Sequence, residues 1–245
     1  MTTPICLWSG PRNVSTALMY SFAQRVDICV VDEPLYGHYL RVTGADHPGR
    51  REVIEHMNCD GAAVMRELLA RQERDSPLRQ FQKHMAHHLI DIDIGFLTQT
   101  SNIFLIRDPR EMLPSLTVQL PNASLADTGL KRQWNLYTSL REAGQMPAIL
   151  DARELLLDPG GILARLCSHL DLEFDPHMLR WPAGPLAEDG IWAPHWYHVV
   201  HKSTGFAPYR PKNEFPAKLE RLLADCKPWY EKLFANAITS GAEGD

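Results

Sequence analysis

An apolar run, Pro4 to Trp8, gives way to the turn-rich Ser9-Gly10-Pro11-Arg12-Asn13, then to helix-compatible Val14 to Gln24, then to a second apolar run, Ile28 to Val31. Short, continuous apolar runs on either side of a helix-length stretch predict a βαβ unit. Strands apolar on both faces belong to a parallel sheet covered by helices, with a right-handed crossover. The alternation continues. Ala62 to Arg74 reads as a helix, Asn102 to Ile106 as a strand, and Pro109 to Leu120 as a helix with proline at its tolerated start. Asp127 to Ala143 reads as a helix, Ala148 to Asp151 as a short strand, and Gly160 to Leu170 as a helix with Ile162, Leu163, Leu166 and Leu170 on one face. A last stripe, Leu219, Leu222, Leu223 and Cys226, precedes Pro228. These stripes read as core packing. The expectation is one α/β domain over residues 1–245, a three-layer α/β/α sandwich around a central parallel sheet.

One stretch departs from the rhythm. Residues 181–216 are rich in Pro, Trp, Tyr and His and carry no sustained period, so they read as an irregular segment serving as acceptor loop or lid. Trp181, Trp192 and Trp196 either line a pocket there or pin the loop to the sheet. A chain of 245 residues, 44% hydrophobic and 22% charged, has the composition of a soluble globular protein, not a collagen-like, coiled-coil or disordered one. Its net charge of −5 makes broad attraction to nucleic acid or anionic lipid unexpected, so any anion it binds must meet a local cluster of donors. No apolar run approaches the roughly 20 residues of a bilayer span, and Met-Thr-Thr-Pro carries no basic leader, so a cytoplasmic protein without membrane contact is expected. Cys6, Cys29, Cys59, Cys167 and Cys226 are scattered and odd in number, which fits reduced thiols.

Two segments carry chemistry. From Leu7 to Leu18 the chain passes from strand through tight turn into helix, where backbone N–H groups and the helix dipole converge on the space in front. Ser15 and Thr16 add hydroxyls and Arg12 a fixed cation; an N-capped helix with a surface arginine is the other reading. The segment is not a nucleotide triphosphatase loop, because Ser15 and Thr16 stand where that pattern, counted from Gly10, needs Gly and Lys. In the second segment, Asn102 to Ser115, a strand ends in Arg107 and Ser115 returns two turns along the helix opened by Pro109. An arginine at a strand's C-terminal edge and a hydroxyl on the next helix can grip one phosphate from two sides.

With these residues in place the chain resembles the sulfotransferase family, whose members use 3′-phosphoadenosine-5′-phosphosulfate as sulfuryl donor. Ser9 to Leu18 is similar to the family's 5′-phosphosulfate loop, with Arg12 for the usual lysine and Val14 for a common glycine. Phe104 to Ser115 is similar to its 3′-phosphate segment, with Arg107 and Ser115 at the proper separation. Ile149 to Pro159 resembles its strand and loop before a late helix, and His201-Lys202-Ser203-Thr204-Gly205-Phe206 loosely resembles its late donor-binding segment.

The resemblance implies a P-loop-like fold, that nucleotide as co-substrate without a metal, and a small-molecule acceptor such as a carbohydrate or aromatic alcohol; self-association stays open. It assigns donor contacts to Gly10, Pro11, Arg12, Asn13, Val14, Ser15, Thr16, Arg107, Ser115, His201 and Lys202. Arg12 would act electrostatically, since a guanidinium does not readily give up a proton.

For the acceptor's base, Glu33 in Val31-Asp32-Glu33-Pro34 follows the second strand and resembles the Glu-Pro of bacterial carbohydrate sulfotransferases; Asp32 is a competitor. Lys83-His84-Met85 sits where cytosolic members carry lysine-threonine-histidine, with Met85 at the histidine, which leaves His84 and His87 as alternatives. His84 and His88 have helical spacing, but no third ligand motif accompanies them. His195, His198 and His201 recur at every third position and read as a polar loop or core histidines. A kinase on a similar scaffold and a non-catalytic nucleotide-binding module are the competing functions.

Overall fold

The computed structural model describes residues 3–74, 78–211 and 214–240, so residues 212 and 213 of the irregular segment, with residues 1, 2, 75–77 and 241–245, lie outside the described residues. One parallel sheet has strand order β2-β3-β1-β4-β5, with β1 Ile5–Ser9, β2 Ile28–Asp32, β3 Arg79–Met85, β4 Ser101–Ile106 and β5 Ala148–Asp151. Helices cover both faces, as the continuous apolar strands require. Ile5 and Leu7 of β1 with Ile103 and Leu105 of β4 enter one core, which α1 (Ser15–Phe22) and α2 (Tyr36–Thr43) close. Cys6, Trp8, Phe104 and Ile106 enter the opposite core. That second core is closed by α5 (Pro109–Gln119), α7 (Leu130–Glu142) and α11 (Glu220–Phe234), while α3 (Arg50–His56), α4 (Gly61–Arg74), α6 (Leu125–Thr128), α8 (Ala152–Leu157), α9 (Pro159–His169) and α10 (Ala193–Trp196) complete the helices.

Strand β3 has no apolar signature. Its sequence, RQFQKHM, is polar at most positions yet almost wholly buried. It tolerates burial because each polar side chain finds a partner. Arg79 donates to the carbonyls of Thr3 (2.6 Å) and Leu170 (2.7 Å), Gln80 to that of Leu68 (3.0 Å), and Gln82 to the Gln80 side chain (2.9 Å). His84 stacks on Trp8 at 4.4 Å. His84 therefore sits on a strand and His88 in the short 3₁₀ turn Ala86–His88, which removes the helical spacing expected of them.

The helix expected over Asp127 to Ala143 is broken at Gly129 (φ +72°) into α6 and α7. The break brings the Thr128 carbonyl against the β1 loop, where a Cβ on Gly10 would lie 2.4 Å from its oxygen. Gly10→Ala is expected to destabilise the fold by about 2 kcal/mol, since neither backbone can give way cheaply. Urea unfolding measures it, and an unchanged midpoint would contradict this packing. α11 continues past Pro228, with Leu223, Cys226 and Leu233 buried on either side of the missing N–H.

Register places the functional loops. Ser9 pairs with Met85 on one side and Leu105 on the other, and Asp32 pairs with Lys83. The segments that follow β1, β2, β3 and β4 therefore leave the sheet at one carboxyl edge, on either side of the point where the strand order reverses, where open α/β sheets bind ligands.

Candidate active site

A cleft of about 660 Å³ opens at that edge. Its wall includes Arg12, Ser15, Thr16, Arg107 and Ser115 from the two expected motifs, and Glu33 after β2. The motifs touch directly: Arg12 Nε donates to Ser115 Oγ at 2.8 Å, and Arg107 donates to the Arg12 carbonyl at 3.1 Å. The β1 loop is held by Asn13, whose amide nitrogen donates to the Leu105 carbonyl (2.8 Å) and Ser9 Oγ (3.3 Å), so that its backbone N–H is the donor it has left for an anion. Arg12 takes φ +57°, a conformation that β-carbon-bearing residues rarely adopt and one held in place by this network.

The arrangement is short of negative charge. Arg107 pairs with Glu111 at 3.2 Å, and the hydroxyl of Tyr209 donates to the same carboxylate. Arg12 has no carboxylate partner among the described residues, and burial together with Arg107 depresses its affinity for a proton. Helix α1 starts at Val14 without a side-chain cap, whereas α5, α8 and α9 begin with Asp108, Asp151 and Asp158 accepting from their first turns. The first-turn amides of α1 are thus open at the cleft without an acidic cap to repel an anion.

The opposite wall is built around a buried ion network. Lys83 at the end of β3 is inaccessible to solvent and donates to Asp32 (2.8 Å), Glu33 (2.5 Å) and the Tyr197 hydroxyl (2.6 Å). Tyr197 donates to Asp32 (2.8 Å), which also accepts from the backbone of Gly190 (3.1 Å). Asp32 is thereby fully used in fixing the 189–201 stretch, while Glu33 borders the cleft, as does Asp127 of α6. Burial raises the Glu33 pKa, opposed by the Lys83 ammonium and reinforced by Asp32. Glu33 also adopts a positive φ, +39°. Arg12 and Glu33 thus place two non-glycine residues in the left-handed region just past the ends of β1 and β2, which flank β3, and such backbone strain is characteristic of functional loops.

Of the expected alternatives, His84 does not line the cleft; it is enclosed with Trp8 beneath the sheet. His87 and His88 do line it, with rings 4.6 Å apart. His201 and Lys202 are absent from the wall, and His201 instead bonds Asp189 (2.9 Å), which accepts from Tyr20 of α1 (2.6 Å). Ser203, Gly205, Tyr209 and Arg210 of the same late segment take that place. Trp181 is a packing residue that donates to Ser203, while Trp192 and Trp196 line the cleft with Tyr36, Tyr39 and His47. Sequence reasoning missed these last three and His88, because nothing in their spacing separates a cleft ring from a core ring.

Burial makes the enclosed imidazoles acid-sensitive. Desolvation pushes His84 down to about 3 and His87 to about 4, against about 6.5 in an unfolded chain. The unfolded state therefore binds more protons, and their stabilisation, complete above pH 6.5, is lost as pH falls through that window. Asp151, raised to about 6 by burial, works the other way. His84 is fully enclosed and carries the larger share, since His87 borders the cleft. A net loss on the order of a few kcal/mol is expected between pH 7 and 5, at about 1.4 kcal/mol per fully shifted group and unit, with His88, also lowered, adding to it and Glu33, raised, opposing it. Urea unfolding at the two pH values measures it, and equal stabilities would contradict it.

Residues 3–237 match the family model for the sulfotransferase domain. The chain belongs to the sulfotransferase domain family. The fold of this sulfotransferase domain is similar to that of the sulfotransferase domain from the curacin biosynthetic pathway, at 15% identity over 93% of this chain and 98% of the other (TM-score 0.55). A sulfotransferase from Alicyclobacillus acidocaldarius is similar at 15% identity over 96% of each chain (TM-score 0.53). Two Arabidopsis thaliana proteins, branched-chain-amino-acid aminotransferase-like proteins 1 and 2, are each 41% identical over 228 residues, 92% of this chain. The sulfotransferase domain spans about 40% of the length of these relatives. Among the described residues no helix is long and apolar enough to cross a membrane.

Proposed function

We propose that this domain moves a sulfuryl group from 3′-phosphoadenosine-5′-phosphosulfate to a hydroxyl or amine of a small-molecule acceptor. The observation that carries the reading is the convergence of Arg12, Arg107, Ser115 and the uncapped start of α1 on one cleft, opposite the Glu33 carboxylate. Arg12, without a carboxylate partner among the described residues, lies beside Arg107, which reaches its loop from the end of β4, and the two form a cationic pair that an anion would relieve. The residues present therefore fit a nucleotide carrying phosphates at two positions.

Arg107 and Ser115 would hold the 3′-phosphate; Ser15, Thr16 and the amides of the Gly10 to Val14 loop would hold the 5′-phosphosulfate. The bound donor supplies a weakly charged sulfuryl group attached to a phosphate leaving group. Arg12 stabilises the charge that grows on the bridging oxygen, from a position fixed by Ser115 before any ligand arrives. Glu33 is the carboxylate on which removal of the acceptor proton depends, and Lys83 and Asp32 keep it in place. Trp192, Trp196, Tyr36 and Tyr39 bound the acceptor's side of the cleft and suit a sugar or an aromatic alcohol. Five free cysteines suit a reducing compartment such as the cytoplasm.

A transfer assay tests the reading. The protein is incubated with the phosphosulfate donor and a panel of alcohols, phenols, sugars and amines, with ATP and magnesium as the control donor. Sulfated product from the first donor is expected; phosphorylated product from ATP alone would replace the reading with a kinase.

A further inference from the structure

His88 belongs to neither expected motif, yet its surroundings are built to hold one ring in one orientation. It is 2% exposed and stacks on Tyr36 (centroids 5.0 Å, planes 12° apart) and Tyr39 (4.5 Å, 25°). Its Nδ1 is buried without a hydrogen-bond partner and lies 4.0 Å from Glu33 Oε2. The other oxygen of Glu33 is occupied by Lys83, so Oε2 is the one left for His88. His88 also lines the cleft, and since only Nδ1 is both buried and unpartnered, Nε2 is the nitrogen at the cleft wall.

We infer that Glu33 and His88 act as one proton-accepting unit, in which His88 Nε2 meets the acceptor and Glu33 orients the ring through Nδ1–H. This rests on the sulfotransferase reading above and makes His88 a catalytic residue of the same site. A carboxylate behind Nδ1 selects the tautomer whose Nε2 lone pair faces the substrate, and it stabilises the imidazolium formed when that lone pair takes a proton. His88 Nε2 takes the acceptor's hydroxyl proton as the new O–S bond forms and the S–O bond to the donor phosphate breaks. The departing phosphate carries away the electron pair, Glu33 stays a carboxylate throughout, and the proton then leaves His88 for water.

Groups from several elements face the ring: Glu33 after β2, Lys83 and His84 on β3, His87 beside it, and His47 from the segment after α2. Burial and these neighbours hold the free imidazole well below its usual pKa. It is thereby unprotonated across the neutral range, with its Nε2 lone pair at the cleft wall and the Glu33 carboxylate 4.0 Å behind Nδ1.

Nitrogen-15 NMR of histidine-labelled full-length protein reads the unit without any ligand, with the His88→Asn spectrum assigning the resonance. A neutral His88 with the proton on Nδ1 is expected at pH 7.5; a proton on Nε2 would overturn the inference. Kinetics with an acceptor from the transfer panel give the second arm. Glu33→Gln and His88→Asn should each lower kcat about 100-fold or more with little change in acceptor KM, and the double variant should lose no more than about 3-fold beyond the worse single one. Binding of 3′-phosphoadenosine-5′-phosphate should stay unchanged in all three. Wild-type turnover in His88→Asn alone, or losses that multiply, would overturn the Glu33–His88 unit and leave the sulfotransferase reading standing. Wild-type turnover in Glu33→Gln as well would remove the proposed base itself.

Discussion

Arg107→Ala is expected to weaken binding of 3′-phosphoadenosine-5′-phosphate by roughly 30- to 150-fold, about 2 to 3 kcal/mol for a lost charge-assisted contact to phosphate. The loss should shrink as salt rises, because the contact is ionic and borders solvent. Arg12→Ala is expected to behave differently. Its guanidinium is anchored to Ser115, and in the proposed transfer it stands where charge would develop, so its removal should lower kcat by about 10²- to 10³-fold in addition to weakening the nucleotide. The split follows from geometry: Arg107 is fastened by Glu111 at the strand end, whereas Arg12 leads the loop that carries Ser15 and Thr16. Calorimetry for affinity and steady-state kinetics for turnover check both. Equal affinity of Arg107→Ala and wild type would contradict the assignment of the β4 segment to a phosphate.

Glu33→Gln should lower turnover by about 10²- to 10⁴-fold while nucleotide affinity stays within about twofold of wild type. The fold should survive, because Lys83 keeps Asp32 as counter-ion at 2.8 Å when the second carboxylate becomes an amide. The pH profile adds a signature. Burial raises the pKa of Glu33, so the acid limb of kcat/KM should lie above the ordinary carboxylate range, with activity falling as pH drops through it. That limb should vanish in Glu33→Gln. A variant with wild-type turnover and an unchanged profile would show that the carboxylate at the end of β2 only holds Lys83.

Much of this site could be read from the chain because its parts are local. The β1 loop announces itself by a strand, a turn and a helix start within a few residues, and Arg107 and Ser115 by a strand end and a helix position two turns on. Other parts are held together by contacts distant in sequence. β3 is unreadable as a strand because its polar residues are satisfied by Leu68, Leu170 and Thr3, which no local pattern shows. Asp32, Lys83 and Tyr197 meet across more than a hundred residues, so the fixed orientation of Glu33 cannot be seen in the motif that contains it. His201 shows the opposite case. The late segment matched a donor-binding pattern only loosely, and its histidine is used to tie the segment to Tyr20 through Asp189. The segment's signal was its density of rings, some of which pack and some of which face the cleft.

Titration of the wild-type protein with 3′-phosphoadenosine-5′-phosphate in a calorimeter, without magnesium, tests most directly whether two separate strand ends form one nucleotide site. Saturable one-to-one binding at micromolar concentration, weakened by salt and by Arg107→Ala, is the expected result. Absence of heat at millimolar ligand would contradict it.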